Sequence, residues 1–231
     1  MAKIKYSAFI TQISGKIAGS EFLNNGSGNV VRNQSIPCDP KTIPQNRQRL
    51  KFGDVARSYN LLRYSQAMAW SDFALRFTKT DRFGDRYHPN RRSLFISLNS
   101  NRVEIYEPII FDPPSLAYPQ SIKSVSVEII DSPEHQDMKI HILPSLKSAT
   151  KLIIYATPPL KNGVFSPNPN KFRKIAVIDH TFPKNGSILH FYQAVFHMQK
   201  HFSRRIAFHF KPVSVLSGIT AKESAYIYEP E

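Results

Sequence analysis

Five of the eight histidines fall in one stretch, at positions 180, 190, 197, 201 and 209. His197-Met198-Gln199-Lys200-His201 has the i, i+4 spacing by which a helix presents two imidazoles to one metal ion. The glutamate of a metalloprotease helix is missing, and a basic turn, Phe202-Ser203-Arg204-Arg205, follows directly. His141, His190 and His209 alternate with apolar neighbours in strand-like segments, where they are expected to face solvent. Cys38 is the single cysteine and lies in the turn-like Pro37-Cys38-Asp39-Pro40, so neither an internal disulfide nor a cysteine zinc cluster can form. Asp131, Glu134 and Asp137 share one loop with Ser132-Pro133. That is solvated turn composition, short of the oxygen ligands and glycine that calcium wants. These residues lead to the expectation of no metal site and no paired carboxylates for acid–base catalysis.

Gly15-Lys16-Ile17-Ala18-Gly19 has the glycines of a phosphate loop but neither its Gly-Lys-Ser/Thr ending nor its hydrophobic strand. A Gly-x-Ser-x-Gly elbow, a dinucleotide fingerprint and the kinase motifs are absent. The expectation is therefore a binding or assembly protein rather than an enzyme, with no cofactor.

Charge is more informative. The chain of 231 residues carries 31 Lys and Arg against 17 Asp and Glu, a net charge of +14. Residues 1–92 hold sixteen basic and six acidic side chains, and residues 93–231 fifteen and eleven, so the excess is +10 in the first part and +4 in the second. Such a field attracts a polyanion or an acidic protein face. The candidate partner- or nucleic-acid-binding residues are Lys16, Arg32, Arg47, Arg49, Arg57, Arg82, Arg86, Arg91 and Arg92. Residues 79–93 interleave aromatics with five basic residues, a composition that stacks and clamps single-stranded nucleic acid or packs on a neighbouring subunit. Without other nucleic-acid motifs the second is favoured. No apolar run reaches the roughly 20 residues of a membrane span, and no signal peptide is evident. The protein is expected to stay in the cytoplasm unless packaged into something.

The elements that must position these residues fall into four segments. Sixteen Phe and ten Tyr argue for a packed chain. Residues 1–36 read as a β-hairpin arm, with a turn at Asn24-Asn25-Gly26-Ser27-Gly28-Asn29 between two short apolar runs. Residues 37–92 read as a Pro37/Pro40/Pro44 linker, a helical hairpin and the basic loop. Phe52, Val55, Ala56 and Tyr59 fall at helical spacing, as do Trp70, Phe73, Ala74 and Phe77. Residues 93–119 read as a Pro-rich connection containing the short segment Leu94–Leu98. Residues 120–231 read as about seven strands: 124–129, 138–142, 151–157, 172–178, 189–196, 205–213 and 224–228. Asn162-Gly163, Asn185-Gly186 and Ser217-Gly218 serve as turns between them. The fold class is α+β: the hairpin arm and helical hairpin, then an antiparallel immunoglobulin/fibronectin-like β-sandwich.

Ile13-Ser14-Gly15-Lys16-Ile17-Ala18-Gly19, then Gly28-Asn29-Val30-Val31-Arg32-Asn33, Pro40-Lys41-Thr42, and Gln66 with Trp70 in Ser65–Ala74 follow one another in a recognisable order. On these motifs residues 10–75 resemble a family of uncharacterised phage and prophage structural proteins. That family pairs a glycine-rich hairpin with a Gln/Trp helical hairpin, and commonly a β-sandwich follows. Tyr59 stands where the family often has a second Trp, and 79–119 is longer than its pattern. The resemblance implies a virion or assembly protein at the capsid, neck or tail, made in the host cytoplasm. It implies other virion proteins as partners and a homo-oligomer in a symmetric assembly. Contact with the packaged DNA is the alternative.

Overall fold

The computed structural model describes residues 2–3, 13–17, 19–25, 28–33, 39, 41–80, 84–131, 136–161, 167–197 and 204–229. Among them are four α-helices and several antiparallel sheets, a mixed α+β fold divided into two units, Met1–Asn46 and Arg47–Glu231.

In the first unit β1 (Ala2–Lys3), β2 (Gly15–Ile17), β3 (Ser20–Asn25) and β4 (Gly28–Asn33) form one antiparallel sheet in the order β1-β4-β3-β2. The expected hairpin is β3–β4, paired from Ser20↔Asn33 to Asn25↔Gly28 as a two-residue loop requires. β1 pairs with β4 and β2 with β3, so a further strand lies on either side of the hairpin.

A helical layer follows, its first helix starting at the end of the first unit. α1 (Ile43–Tyr59) carries Pro44 at its start, where a missing N–H costs nothing. α2 (Tyr64–Ala74) follows, then the short pair β5 (Lys79–Thr80) and β6 (Arg86–Tyr87). α3 (Arg91–Glu104) starts at Asn90, whose side chain accepts from the Arg92 N–H at 2.9 Å. The core of this layer is Val55, Trp70, Phe73, Ala74, Leu94, Phe95 and Leu98, with Ile219 from the sheet region. Phe52, expected on the buried face of α1, is 54% exposed.

α3 also overturns the expected connection at 93–119. Its core-facing positions include Asn99 and Arg102, both buried. Asn99 exchanges two hydrogen bonds with the backbone of Ile110, at 3.1 and 2.8 Å. These polar residues mask the helical period in the sequence, and tertiary partners make them tolerable inside.

The rest is built from two antiparallel sheets. β7 (Ser124–Asp131) and β8 (Gln136–Leu143) pair along their whole length, while β9 (Thr150–Ala156) and β10 (Arg173–Ile178) pair with a register shift between Lys174 and Ala176. β11 (Asn185–Ser187) adds to β8, so the expected turn at Asn185-Gly186 is instead a short strand. α4 (Leu189–Phe196) replaces the strand expected at 189–196. Its mixed apolar run fits either period. The helix seats Tyr192 in the core, with its hydroxyl donating to Thr157 O at 2.9 Å. β12 (Ile206–Ser214) and β13 (Ser224–Tyr228) complete the strand orders β11-β8-β7 and β10-β9-β12-β13. Both sheets feed one core that includes Val127, Ile140, Leu152, Ile154, Phe208 and Phe210. β9 lies between two partners, the central strand its apolar run predicts.

α3 clamps the helical layer to the sheets. Arg102 donates to the carbonyls of Pro108, Val215 and Leu216, and Asn101 donates to Gly218 O at 2.9 Å. The helix ends in a Schellman motif, with Glu107 N–H bonded to Arg102 O at 2.9 Å and Tyr106 N–H to Val103 O at 3.2 Å. Tyr106 occupies the left-handed position at φ +63, where glycine is usual. Its ring lies 4.6 Å from the Lys174 ammonium. The left-handed backbone costs an L residue about 1–2 kcal/mol, and the cation–π contact returns about 0.5–1 kcal/mol. Tyr106→Gly is therefore expected to stabilise the fold by about 0.5–1 kcal/mol, read as a higher urea midpoint.

Candidate binding surfaces

The basic residues singled out by sequence are divided between the two units. Lys16 and Arg32 belong to the first unit. Lys16 is exposed in β2, and Arg32 is paired with Glu21, its cross-strand neighbour, at 2.5 Å. In the second unit Arg47 and Arg49 are exposed on α1 and Arg86 on β6. Arg57 is matched by Asp54 within α1, and both remain mostly exposed, so the pair contributes little. Arg91 donates to Ser71 Oγ at 3.3 Å, and Arg92 lies 5.7 Å from the centre of the Tyr59 ring. The first turn of α3 thus touches both α1 and α2. Arg82 lies outside the described residues, as do Cys38, His201 and the Asn162-Gly163 turn. His197 ends α4 in the left-handed conformation at φ +51. Among the described residues no group of three or more His, Cys, Asp or Glu could hold a metal ion, and no helix is long and apolar enough to cross a membrane.

Apolar exposure is concentrated where the charge is. The helical layer has a filled aromatic core, yet Leu50, Phe52, Leu61, Tyr64, Met68 and Leu75 are all exposed. From Arg47 to Phe52 six consecutive residues are exposed. At 3.6 residues per turn, that leaves every face of this helical turn bare.

A second surface lies on the outer face of β10-β9-β12-β13. Strand alternation sends Ile154, Phe208 and Phe210 inward and leaves Tyr155, His209 and Lys211 on the other side. Ile105, just beyond α3, covers Ile153 and Val213 on that outer face. The neighbouring part is an open groove of about 600 Å³, lined by Tyr155, Phe172, His209, Lys211, Glu223 and Ile227 among others. His209, expected to point freely to solvent, lies between the Tyr155 and Phe172 rings at 6.0 and 5.9 Å and meets Glu223 at 3.0 Å.

Glu104, at the end of α3, ties the groove's inner end together. Its carboxylate accepts from the Tyr155 hydroxyl, and its other oxygen lies 3.5 Å from Lys211, which also bonds Asn101 Oδ1 at 3.0 Å. Lys174 donates to the Glu104 carbonyl. Burial pushes the Tyr155 phenol far above its usual range and the Glu104 carboxylate adds to the effect, so Tyr155 works as a donor. Burial lowers the Lys174 ammonium, Glu104 opposes this, and Lys51 and Lys211 reinforce it. The arrangement holds Tyr155, Lys174 and Lys211 in place around Glu104.

No protein-family model, no curated protein and no solved structure matches this chain. The chain's own geometry is what bears on its function. Sequence reasoning missed Glu104, Tyr155, Lys174, Lys211 and Glu223. The shared parity of Tyr155 with Ile153, and of His209 with Lys211, was readable, but not which part of the face the helical layer would cover.

Proposed function

We propose that this chain is a structural and assembly component of a tailed-phage particle, acting in several copies by docking on other virion proteins, and not an enzyme. The carrying observation is the helical layer. Its aromatic core is complete without outside help, and it still exposes Leu50, Phe52, Tyr64, Met68 and Leu75 among arginines. Exposed apolar groups interleaved with Arg and Tyr have the composition of protein interfaces. The resemblance of residues 10–75 supports the particle as the setting.

The strand order supports an immunoglobulin/fibronectin-type reading of the body. Taken in chain order as A, B, C, C′, E, F and G, β7 to β13 fall into the sheets A-B-E and C′-C-F-G, with α4 between E and F. Such a body carries exposed sheet edges that neighbouring copies can cover.

Contact with packaged DNA is the second reading, favoured by the cations Arg47, Arg49 and Lys51, exposed on α1 ahead of its first acidic residue, Asp54. Phosphate binding draws its affinity mainly from cations, however, and does not account for the apolar side chains between them. Mass spectrometry of purified particles tests the main reading: the protein is expected at a fixed ratio to the major capsid protein. A chain absent from particles and monomeric in solution would overturn it.

A further inference from the structure

The outer face of β10-β9-β12-β13 is only half covered. Ile105 closes it over Ile153 and Val213. Beyond that cover, the pairs His209↔Ala225 and Ala207↔Ile227 place Ala207, Ala225 and Ile227 on the same outward side as His209. Two alanines beside Tyr155 and His209 lower the floor there, and the groove of about 600 Å³ results. Ligand pockets run to about 300–1,000 Å³.

The fold itself fixes the walls. Phe172 follows a 3₁₀ turn, Pro169–Lys171, in which the Asn168 side chain accepts from the Asn170 N–H at 3.0 Å. Tyr155 is held by its hydroxyl on Glu104. At the polar end Glu223 Oε2 meets His209 Nε2 at 3.0 Å, and the Glu223 side chain stays 45% exposed. Lys211 turns one N–H to Asn101 Oδ1 at 3.0 Å and a second toward Glu104 at 3.5 Å, which leaves a third. Glu223 stands across from Lys211, one step past the pair Phe210↔Ser224.

This lining selects its occupant. An anion would meet Glu223 and a cation would meet Lys211, so net charge of either sign is disfavoured. A hydrocarbon would take water from both groups and give neither a partner. An extended peptide reads a sheet through main-chain hydrogen bonds at an edge, and β12 is already paired with β9 and β13. A neutral saccharide meets each demand. Its C–H face packs on the half-buried Phe172 and Tyr155 rings, and its hydroxyls donate to Glu223 and accept from Lys211.

We propose that the groove over β9, β12 and β13 is a binding site for a neutral saccharide, with Phe172 and Tyr155 as its stacking wall and Glu223 and Lys211 as its hydroxyl partners. This is a binding activity beyond docking in a particle, and it uses none of the exposed side chains that carry the docking reading.

The full-length protein is tested on an array of neutral, sialylated and sulfated glycans, and the neutral oligosaccharide it retains best is then titrated by calorimetry. Saturable binding of neutral glycans is expected. Ala225→Phe fills the groove from an exposed position and should weaken binding by about tenfold or more, with the urea midpoint unchanged. Glu223→Gln keeps the shape and replaces a charged acceptor by a neutral one, so a loss of about fivefold is expected. It carries the test should Ala225→Phe disturb folding. Retention of no neutral glycan, binding confined to the acidic ones, or full affinity in both variants would overturn the proposal. Displacement of the oligosaccharide by a proline-rich peptide would overturn it too, by assigning the groove to a peptide.

Discussion

Gly218→Ala is expected to destabilise the second unit by about 2–5 kcal/mol, one of the two largest single-residue effects in the chain. Gly218 sits where the turn after β12 meets α3, at φ +72. Left-handed backbone alone costs an L residue about 1–2 kcal/mol. A Cβ there would also stand 2.2 Å from the Leu98 carbonyl oxygen and 2.9 Å from its carbon. Both atoms are backbone inside a packed helix, so relief requires moving α3 off the sheets, and overpacking of this kind costs about 1–3 kcal/mol. The same shift strains Asn101 Nδ2 bonded to Gly218 O, and Arg102 bonded to Val215 and Leu216. Urea unfolding measures the loss directly. Gly186→Ala is the control: its Cβ would meet the Phe182 ring at 2.4 Å, a side chain able to turn aside, so a smaller loss is expected. Equal losses at the two positions would mean that the clamp between α3 and the sheets is looser than its packing implies.

Trp70→Ala is expected to cost about 3–5 kcal/mol, the range for emptying a buried aromatic site. Trp70 is fully buried and meets Phe73 and Phe95 edge-on, with ring centroids at 5.6 and 5.2 Å. Its indole N–H donates to Phe111 O at 2.7 Å. One turn earlier Gln66 donates to Asp112 Oδ1 at 2.9 Å while accepting from the Arg63 N–H at 3.0 Å. The Gln/Trp pair that marks this helix thus pins the segment after α3, a structural duty. Trp70→Phe keeps much of the apolar contact and orphans the Phe111 carbonyl, so about 1–3 kcal/mol is expected. Because Trp70 is the single tryptophan, intrinsic fluorescence follows wild-type unfolding, and far-UV circular dichroism must follow the variants. The helical layer has a core separate from that of the sheets. Amides in α2 and α3 should therefore lose exchange protection before those of β8 and β9.

Local periodicity made much of this fold legible. Strict alternation in 124–129 and 138–142 predicted β7 and β8, and the Pro-terminated apolar run at 151–157 predicted the central strand β9. Trp70, Phe73 and Ala74 sit on the buried face that their spacing required. The glycine-bearing turn predicted the β3–β4 hairpin. Each of these signals lives within ten or so residues, where backbone sterics and side-chain direction act without distant help.

The failures share the opposite property. Residues 91–104 looked irregular because Asn99 and Arg102 occupy core positions, and their partners, Ile110, Pro108 and Val215, are supplied from elsewhere in the chain. Leu189–Phe196 has apolar residues enough for either period, and packing against β10 and β8 makes it α4. The cluster at Glu104 gathers α3, β9, β10 and β12, a convergence that no spacing in one stretch can announce.

The sequence by itself determined that this chain is basic, most strongly over residues 1–92, that a helical hairpin precedes a run of short antiparallel strands, and that a Gln/Trp helix carries a packed aromatic stripe. Only the tertiary structure decided which charges are already matched and which apolar side chains stay bare. Arg32 and Arg57 meet acidic partners, whereas Tyr64, Met68 and Leu75 meet no core. The physical reason is that composition and period describe one segment at a time. Exposure and charge pairing belong to the surface left after all segments have packed.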